Sequence, residues 1–183
     1  SVFVLETLFD LQTKMADWEN SQITLFDSVR RKVKTESVAV KPRVTILTAR
    51  AIDFKNNNKI EDAVKFADQA LLADKQFIPA AIIRTSLIKY PEKERRIINS
   101  LEILLSTHPH PILILKYLNL WPNESSLEQF KRLKEVLINS ANSIQGCLML
   151  AELALKAELW AEARTKLGEL SPDKLTAHGC RLM

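Results

Sequence analysis

Apolar side chains recur at helical spacing along nearly the whole chain. Val2, Leu5, Leu8 and Phe9, continued by Gln12, trace one face, and Trp18, Ile23, Leu25, Phe26 and Val29 begin another. Val44, Ile46, Leu47, Ala51 and Phe54 follow, then Ala63, Phe66, Ala67 and Ala70. The stripes are short, and so are the breaks between them. Breaks fall at Ala16-Asp17, from Lys55 to Lys59, at Asp74-Lys75-Gln76, at Tyr90-Pro91, from His108 to Pro111, at Pro122-Asn123 and at Ser171-Pro172. Proline lacks the N–H that a helix interior needs, so prolines are expected where helices start or stop. Short helices joined by tight connections predict antiparallel neighbours.

A repeat underlies the stripes. Ala63 aligns with Ile97, Lys75 with Pro109, and Gln129 with Ala163, each pair 34 residues apart. The step from Ile97 to Gln129 is 32, with a shortened helix between His110 and Trp121. Thirty-four residues is the period of the tetratricopeptide repeat, a helix-turn-helix unit. Such a unit needs a small residue where its two helices press together. Ala63, Ala163 and, less well, Ser21 take that place in second helices, and Ala51 and Ala151 take it in first helices. Enlarging Ala151 or Ala163 would overpack the pair. Trp18, Ile60 and Trp160 stand three positions before the small residue, where an aromatic side chain would cap the gap. Ile97, Gln129 and Phe9 depart from the pattern, so the repeats are degenerate.

The expected fold is therefore all-α. It is a tetratricopeptide-like right-handed solenoid of antiparallel helix pairs, with about ten or eleven helices in a single domain over residues 1–183. The expected repeats are 2–35, 42–76, 77–110, 111–142 and 143–175, followed by a truncated helix over 172–183.

Composition narrows the chemistry. The 183 residues include only three glycines, Gly146, Gly168 and Gly179, so no Gly-rich phosphate loop is present. The net charge of +4 is mildly basic. Its clusters, Arg30-Arg31-Lys32, Lys93-Glu94-Arg95-Arg96 and Lys131-Arg132, read as solvated helix faces and ends. They give no nucleic-acid stripe, and no nucleic-acid partner is expected. Cys147 and Cys180 lie far apart in apolar helical settings and read as buried thiols. No stretch is long and apolar enough to span a membrane. The chain begins without methionine and stops inside an apolar pattern at Leu182-Met183, so it is expected to belong to a longer protein.

No catalytic constellation emerges. No serine has the Gly-x-Ser-x-Gly setting, and neither cysteine has a nearby histidine except His178 beside Cys180. His108 and His110 could share a metal, but the further ligands a zinc site needs do not follow at ligand spacing. They read instead as part of a proline-braced link. Neither metal nor cofactor is expected; the alternative is a heme or porphyrin held by His108, His110 or His178. Solenoids of this kind bind along the concave face, which first helices line. Counting positions places Thr45, Thr48, Ile52, Lys55 and Asn56 there. Ile82, Ser86, Lys89 and Tyr90 follow from the next repeat, and Gln145, Leu148, Glu152 and Lys156 from the last full one. The surface is mixed in charge, and other proteins are the expected partners.

Several segments in order carry a further resemblance. They are Leu5 to Phe9 with Asp10-Leu11-Gln12, Asp17-Trp18-Glu19, Leu47-Thr48-Ala49-Arg50-Ala51, Phe77-Ile78-Pro79-Ala80-Ala81, Pro109-His110-Pro111, and Leu159-Trp160-Ala161-Glu162-Ala163-Arg164. Leu150-Ala151-Glu152, Thr176 and Cys180-Arg181-Leu182-Met183 add to the set. Together they resemble the C-terminal half of the HemY-type tetratricopeptide proteins of bacterial heme-biosynthesis operons. The likeness weakens at Trp121-Pro122-Asn123-Glu124-Ser125, which keeps only Pro-x-Glu-Ser, and after Asn139. It implies two membrane spans upstream of Ser1, an inner-membrane protein, and repeats on the cytoplasmic side. It also implies a non-catalytic scaffold for heme-pathway enzymes. An adaptor for an unrelated membrane or secretion assembly is the other scaffold reading. The flavin-dependent protoporphyrinogen oxidase that shares the name is not resembled.

Overall fold

The structure, a computed structural model, describes residues 2–170. The expected helix over 172–183, with His178 and Cys180, lies outside the described residues. Among the described residues the fold is all-α, with ten helices, one 3-10 turn and no strand. No helix among them is long and apolar enough to cross a membrane. The chain divides into two compact units, Ser1–Leu87 and Ile88–Met183.

The first unit holds α1 (Val2–Lys14), α2 (Trp18–Arg30), α3 (Glu36–Asn56), α4 (Ile60–Ala73) and α5 (Ile78–Ser86). Each helix packs on the next, and α3 also meets α5, as neighbouring first helices do in a tetratricopeptide-like array. Leu25, Ala39 and Ile46 form one core, against which Phe9, Trp18 and Val29 pack. Val44, Leu47, Ala70 and Ala80 form a second, flanked by Phe66 and Phe77. The small residues are buried where the helices press closest: Ser21, Ala51 and Ala63 have no exposed surface.

The second unit opens with the 3-10 turn Pro91–Lys93. It continues with α6 (Arg95–Thr107), α7 (Pro111–Leu118), α8 (Ser126–Val136), α9 (Ile144–Lys156) and α10 (Trp160–Gly168). Here α6 meets α7 and α8, α9 meets α7 and α8, and α10 packs on α9. Ser125 and Glu128 form a capping box at the start of α8, each bonding the other's backbone N–H. Cys147, Leu148, Ala151, Leu167 and Leu170 make the α9/α10 core. The repeat period survives in the helix starts: α5, α7 and α9 begin 33 residues apart, and α8 and α10 begin 34 apart.

Two expectations are corrected. Pro79 and Pro111 do sit in the first turns of α5 and α7, but Pro42 lies inside α3. That helix is 21 residues long, starts at Glu36 instead of residue 42, and follows a break over 31–35 that the apolar stripes do not announce. Burial of Ala39 against Leu25 and Ile46 rewards the extra turns. Trp160 does not cap its helix pair. Its ring is 65% exposed, because among the described residues no helix covers it as α3 covers Trp18.

The helix stops are made without glycine. Four connections close with a left-handed residue, Ala16, Lys32, Asn58 or Glu158, at φ of 57–59°. In each, the next N–H reaches back five residues: Asp17 to the Gln12 carbonyl at 2.9 Å, Val33 to Ser28 at 2.8 Å, Lys59 to Phe54 at 2.9 Å and Leu159 to Ala154 at 2.8 Å. This is the Schellman stop, usually made by glycine. Ala16, Asn58 and Glu158 each stand two residues before the residue that opens the second helix of a pair. The turn is thus part of the repeat, although its side chain is not. A residue with a Cβ pays roughly 1–2 kcal/mol in this region, offset by about 0.5–1 kcal/mol for the greater chain entropy of glycine. Ala16→Gly and Glu158→Gly are therefore each expected to stabilise the fold by about 0.5 kcal/mol in urea titrations followed by circular dichroism. Asn58→Gly should change little, since asparagine tolerates this conformation. Loss of stability in both of the first two variants would contradict the turn geometry.

Candidate functional site

The sequence-predicted face divides between the two units. In the first, Thr45 is exposed on α3 and its hydroxyl donates back to the Lys41 carbonyl at 3.0 Å. Ile52 and Asn56 are exposed about two and three turns further on. Lys55 and Ser86 are brought together: the Lys55 Nζ donates to Ser86 Oγ at 2.7 Å, tying α3 to α5 beside the half-buried Ile82. In the second unit, Lys89 and Tyr90 are exposed before the 3-10 turn, with the Lys93 ammonium 4.9 Å from the centre of the Tyr90 ring. On α9, Lys156 donates to Glu152 at 2.8 Å, and Gln145 is half-buried.

Two of the predicted residues are not on any open face. Thr48 is buried because it continues the inward stripe of Val44, Leu47 and Ala51, and its hydroxyl is satisfied by the Val44 carbonyl at 2.8 Å. Leu148 is buried because it fills the α9/α10 core with Leu167 and Leu170. Neither can touch a partner.

A cleft of about 570 Å³ opens elsewhere, between α6 and α8. Asn99, Glu102 and Ile103 line one wall, Arg132, Glu135 and Val136 the other, and Tyr117 of α7 forms the floor. Tyr117 is the largest fully buried side chain among the described residues. A buried phenol needs a partner, and its hydroxyl donates to Glu102 Oε1 at 2.6 Å. Burial holds the phenol far above its ordinary pKa, and the Glu102 carboxylate beside it adds to the effect. The proton therefore stays on Tyr117, and Glu102 stays fixed as its acceptor.

Arg132 forms a partition. Its Nε lies 3.1 Å from each Glu124 carboxylate oxygen, and its Nη2 also donates to Glu124. The guanidinium stacks 3.9 Å from the centre of the Trp121 ring, and Trp121 meets Tyr117 edge-on at 5.0 Å. Bonding to Glu124 strengthens the hold of Arg132 on its proton. Beyond the partition lies a second cleft of about 280 Å³, lined by Glu92, Trp121, Glu124 and Glu128 among others. Hydrogen bonds from the Ser125 backbone and hydroxyl hold the Glu128 carboxyl below its usual range. A third cleft of about 280 Å³, in the first unit, is lined by Asp17, Trp18, Glu19, Arg50, Asp53 and Phe54, with others. Arg50 is occupied there, donating to Gln22 at 2.7 Å and stacking 4.2 Å from the centre of the Phe66 ring.

Position counting missed Glu102, Tyr117 and Arg132, because the network is made across three helices. One signal was present: a tyrosine inside the apolar run of α7 must find a partner for its hydroxyl.

Two of the three histidines are described. His108 is exposed, with Nδ1 3.0 Å from the Thr107 hydroxyl. His110 precedes the first turn of α7, and its Nδ1 is buried without a hydrogen-bond partner among the described residues. Among those residues, no group of three or more His, Cys, Asp and Glu side chains could hold a metal ion. Cys147 is buried, and burial, reinforced by the nearby Glu169 carboxylate, pushes its thiol up.

No family model matches the chain, and no curated protein matches it. Among solved structures it is similar to one described as "MamA RS-1 ArsTM double mutant". That likeness has 10% identity and a TM-score of 0.45, over 92% of this chain and 91% of the other.

Proposed function

We propose that this chain is a non-catalytic interaction module that gathers other proteins along its helix pairs. The α6/α8 cleft carries the reading. It is open to solvent, mixes apolar and charged walls, and rests on a buried hydrogen-bonded floor. A pre-ordered surface of this kind loses little entropy on binding. Exposed apolar side chains on the same helices, Ile103 on α6 and Leu127 on α8, add contact area beside it.

The finer proposal places the module in an inner-membrane protein of heme biosynthesis, with heme-pathway enzymes as partners. It is supported by the HemY-type resemblance of the ordered segments. A photo-crosslinking residue at Ile103 tests both levels in solubilised membranes, read by mass spectrometry against the same residue at Leu72 on α4. Stoichiometric capture of ferrochelatase or a neighbouring pathway enzyme at Ile103 alone is the expected result. Capture of an unrelated assembly keeps the scaffold and removes the pathway. Equal, nonspecific labelling from both positions would sink the scaffold reading at this face.

A further inference from the structure

Resting on the interaction reading, we propose that the α6/α8 cleft receives a lysine or arginine side chain of a protein partner. Charge complementarity is the argument. The chain carries a net charge of +4, yet this cleft presents two carboxylates, Glu102 and Glu135, against one cation. That cation, Arg132, is already held by both oxygens of Glu124 and by the Trp121 ring. The next cation on α8, Lys134, is turned to Glu162 at 3.5 Å. The Glu135 carboxylate has no ion pair or hydrogen bond among the described residues. Glu102 uses Oε1 to accept from Tyr117, and among the described residues no hydrogen bond engages its Oε2.

The walls match the rest of such a side chain. Ile103 is 67% exposed and faces Val136 across the cleft. A lysine or arginine stem lies well along apolar surface while its head reaches charge. The Tyr117 bond fixes Glu102 before the partner arrives, so little is lost in ordering it. An acidic or neutral side chain would leave two partly desolvated carboxylates uncompensated. The second cleft, across the Arg132 partition, is also acidic, so a segment with more than one basic residue suits this end of the unit.

The test is a titration of the isotope-labelled chain, read by amide chemical shifts. The ligands are an acetylated Ala-Lys-Ala-Arg-Ala peptide and its counterpart with norleucine at both basic positions. Shifts at Asn99, Ile103, Ser106, Glu135 and Val136 with the basic peptide only are expected. The E102Q/E135Q variant, which keeps the Tyr117 acceptor, should weaken binding about tenfold, or roughly 1.4 kcal/mol. Equal shifts with the norleucine peptide, or unchanged binding in the variant, would overturn the assignment. So would shifts at the same amides on concentrating the chain alone, which would make a second copy the occupant. The Ile103 crosslink separates this proposal from the broader one. A partner captured equally by wild type and E102Q/E135Q leaves the scaffold standing and removes the basic side chain. A partner lost only in the variant supports both.

Discussion

Replacing Pro42 by alanine should stabilise the protein by about 2 kcal/mol. Proline inside a helix loses one backbone bond and presses its ring against the carbonyl four residues earlier, at a cost of about 3 kcal/mol. In α3 that carbonyl belongs to Val38, an exposed residue one turn from the helix start. Alanine restores the bond to it. The gain is reduced by about 0.4–1 kcal/mol, because alanine leaves the unfolded chain freer. The position is half-exposed, so the ring takes little packing away with it. A rise in the urea midpoint at constant slope is the measurement. An unchanged or lower midpoint would mean that residues 36–41 do not continue the helix through Pro42 in solution.

Pro42 also marks the limit of what was legible in the sequence. The apolar period gave the helical class, because core faces must repeat at helical spacing whatever the tertiary fold. The small residues were legible for a related reason: Ala51, Ala63, Ala151 and Ala163 are all buried at helix contacts, where a larger side chain would not fit. Pro42 misled because a local rule was outweighed by a tertiary gain, the burial of Ala39. The left-handed turns were hidden because Ala16, Lys32 and Glu158 adopt a glycine conformation without being glycine. Only the backbone bonds that enclose them reveal the motif.

The candidate site was less legible than the fold. Counting along first helices named Lys55 and Ser86, which lie within hydrogen-bond distance of each other, and Thr45 and Ile52, which are exposed. It failed at Thr48, the last residue of the inward run before Ala49, and at Leu148, where α9 is buried without a break from Gly146 to Ala151. A helix turns by about 100° per residue, so a one-position error moves a side chain from surface to core. The cleft between α6 and α8 depends on separations of 15 residues between Glu102 and Tyr117 and 8 between Glu124 and Arg132. Spacings of that kind carry no periodic signal.

Two of the glycines should respond to alanine in opposite directions. Gly146 lies in the first turn of α9, and its N–H donates to the capping Ser143 Oγ at 3.0 Å. A Cβ there would stand 2.5 Å from the Ser140 carbonyl oxygen and 2.9 Å from Ser143 Oγ. The carbonyl is backbone, and it already accepts from the Ser143 N–H at 2.9 Å and the Ser143 hydroxyl at 2.6 Å. It cannot retreat without loosening the cap. Helix propensity favours alanine by up to about 1 kcal/mol. Overpacking at such a site costs about 1–3 kcal/mol and adds the weakened cap, so Gly146→Ala should destabilise by about 1–2 kcal/mol net. Gly168 closes α10, and a Cβ there meets nothing within 4 Å among the described residues. Gly168→Ala should therefore stabilise by about 0.5–1 kcal/mol through reduced chain entropy alone. Thermal and urea unfolding of the two variants beside the wild type decides it. If both variants stabilise, the turn over 140–143 lies further from α9 than the geometry has it, and the tight cap is wrong. If both destabilise, α10 does not extend to Gly168.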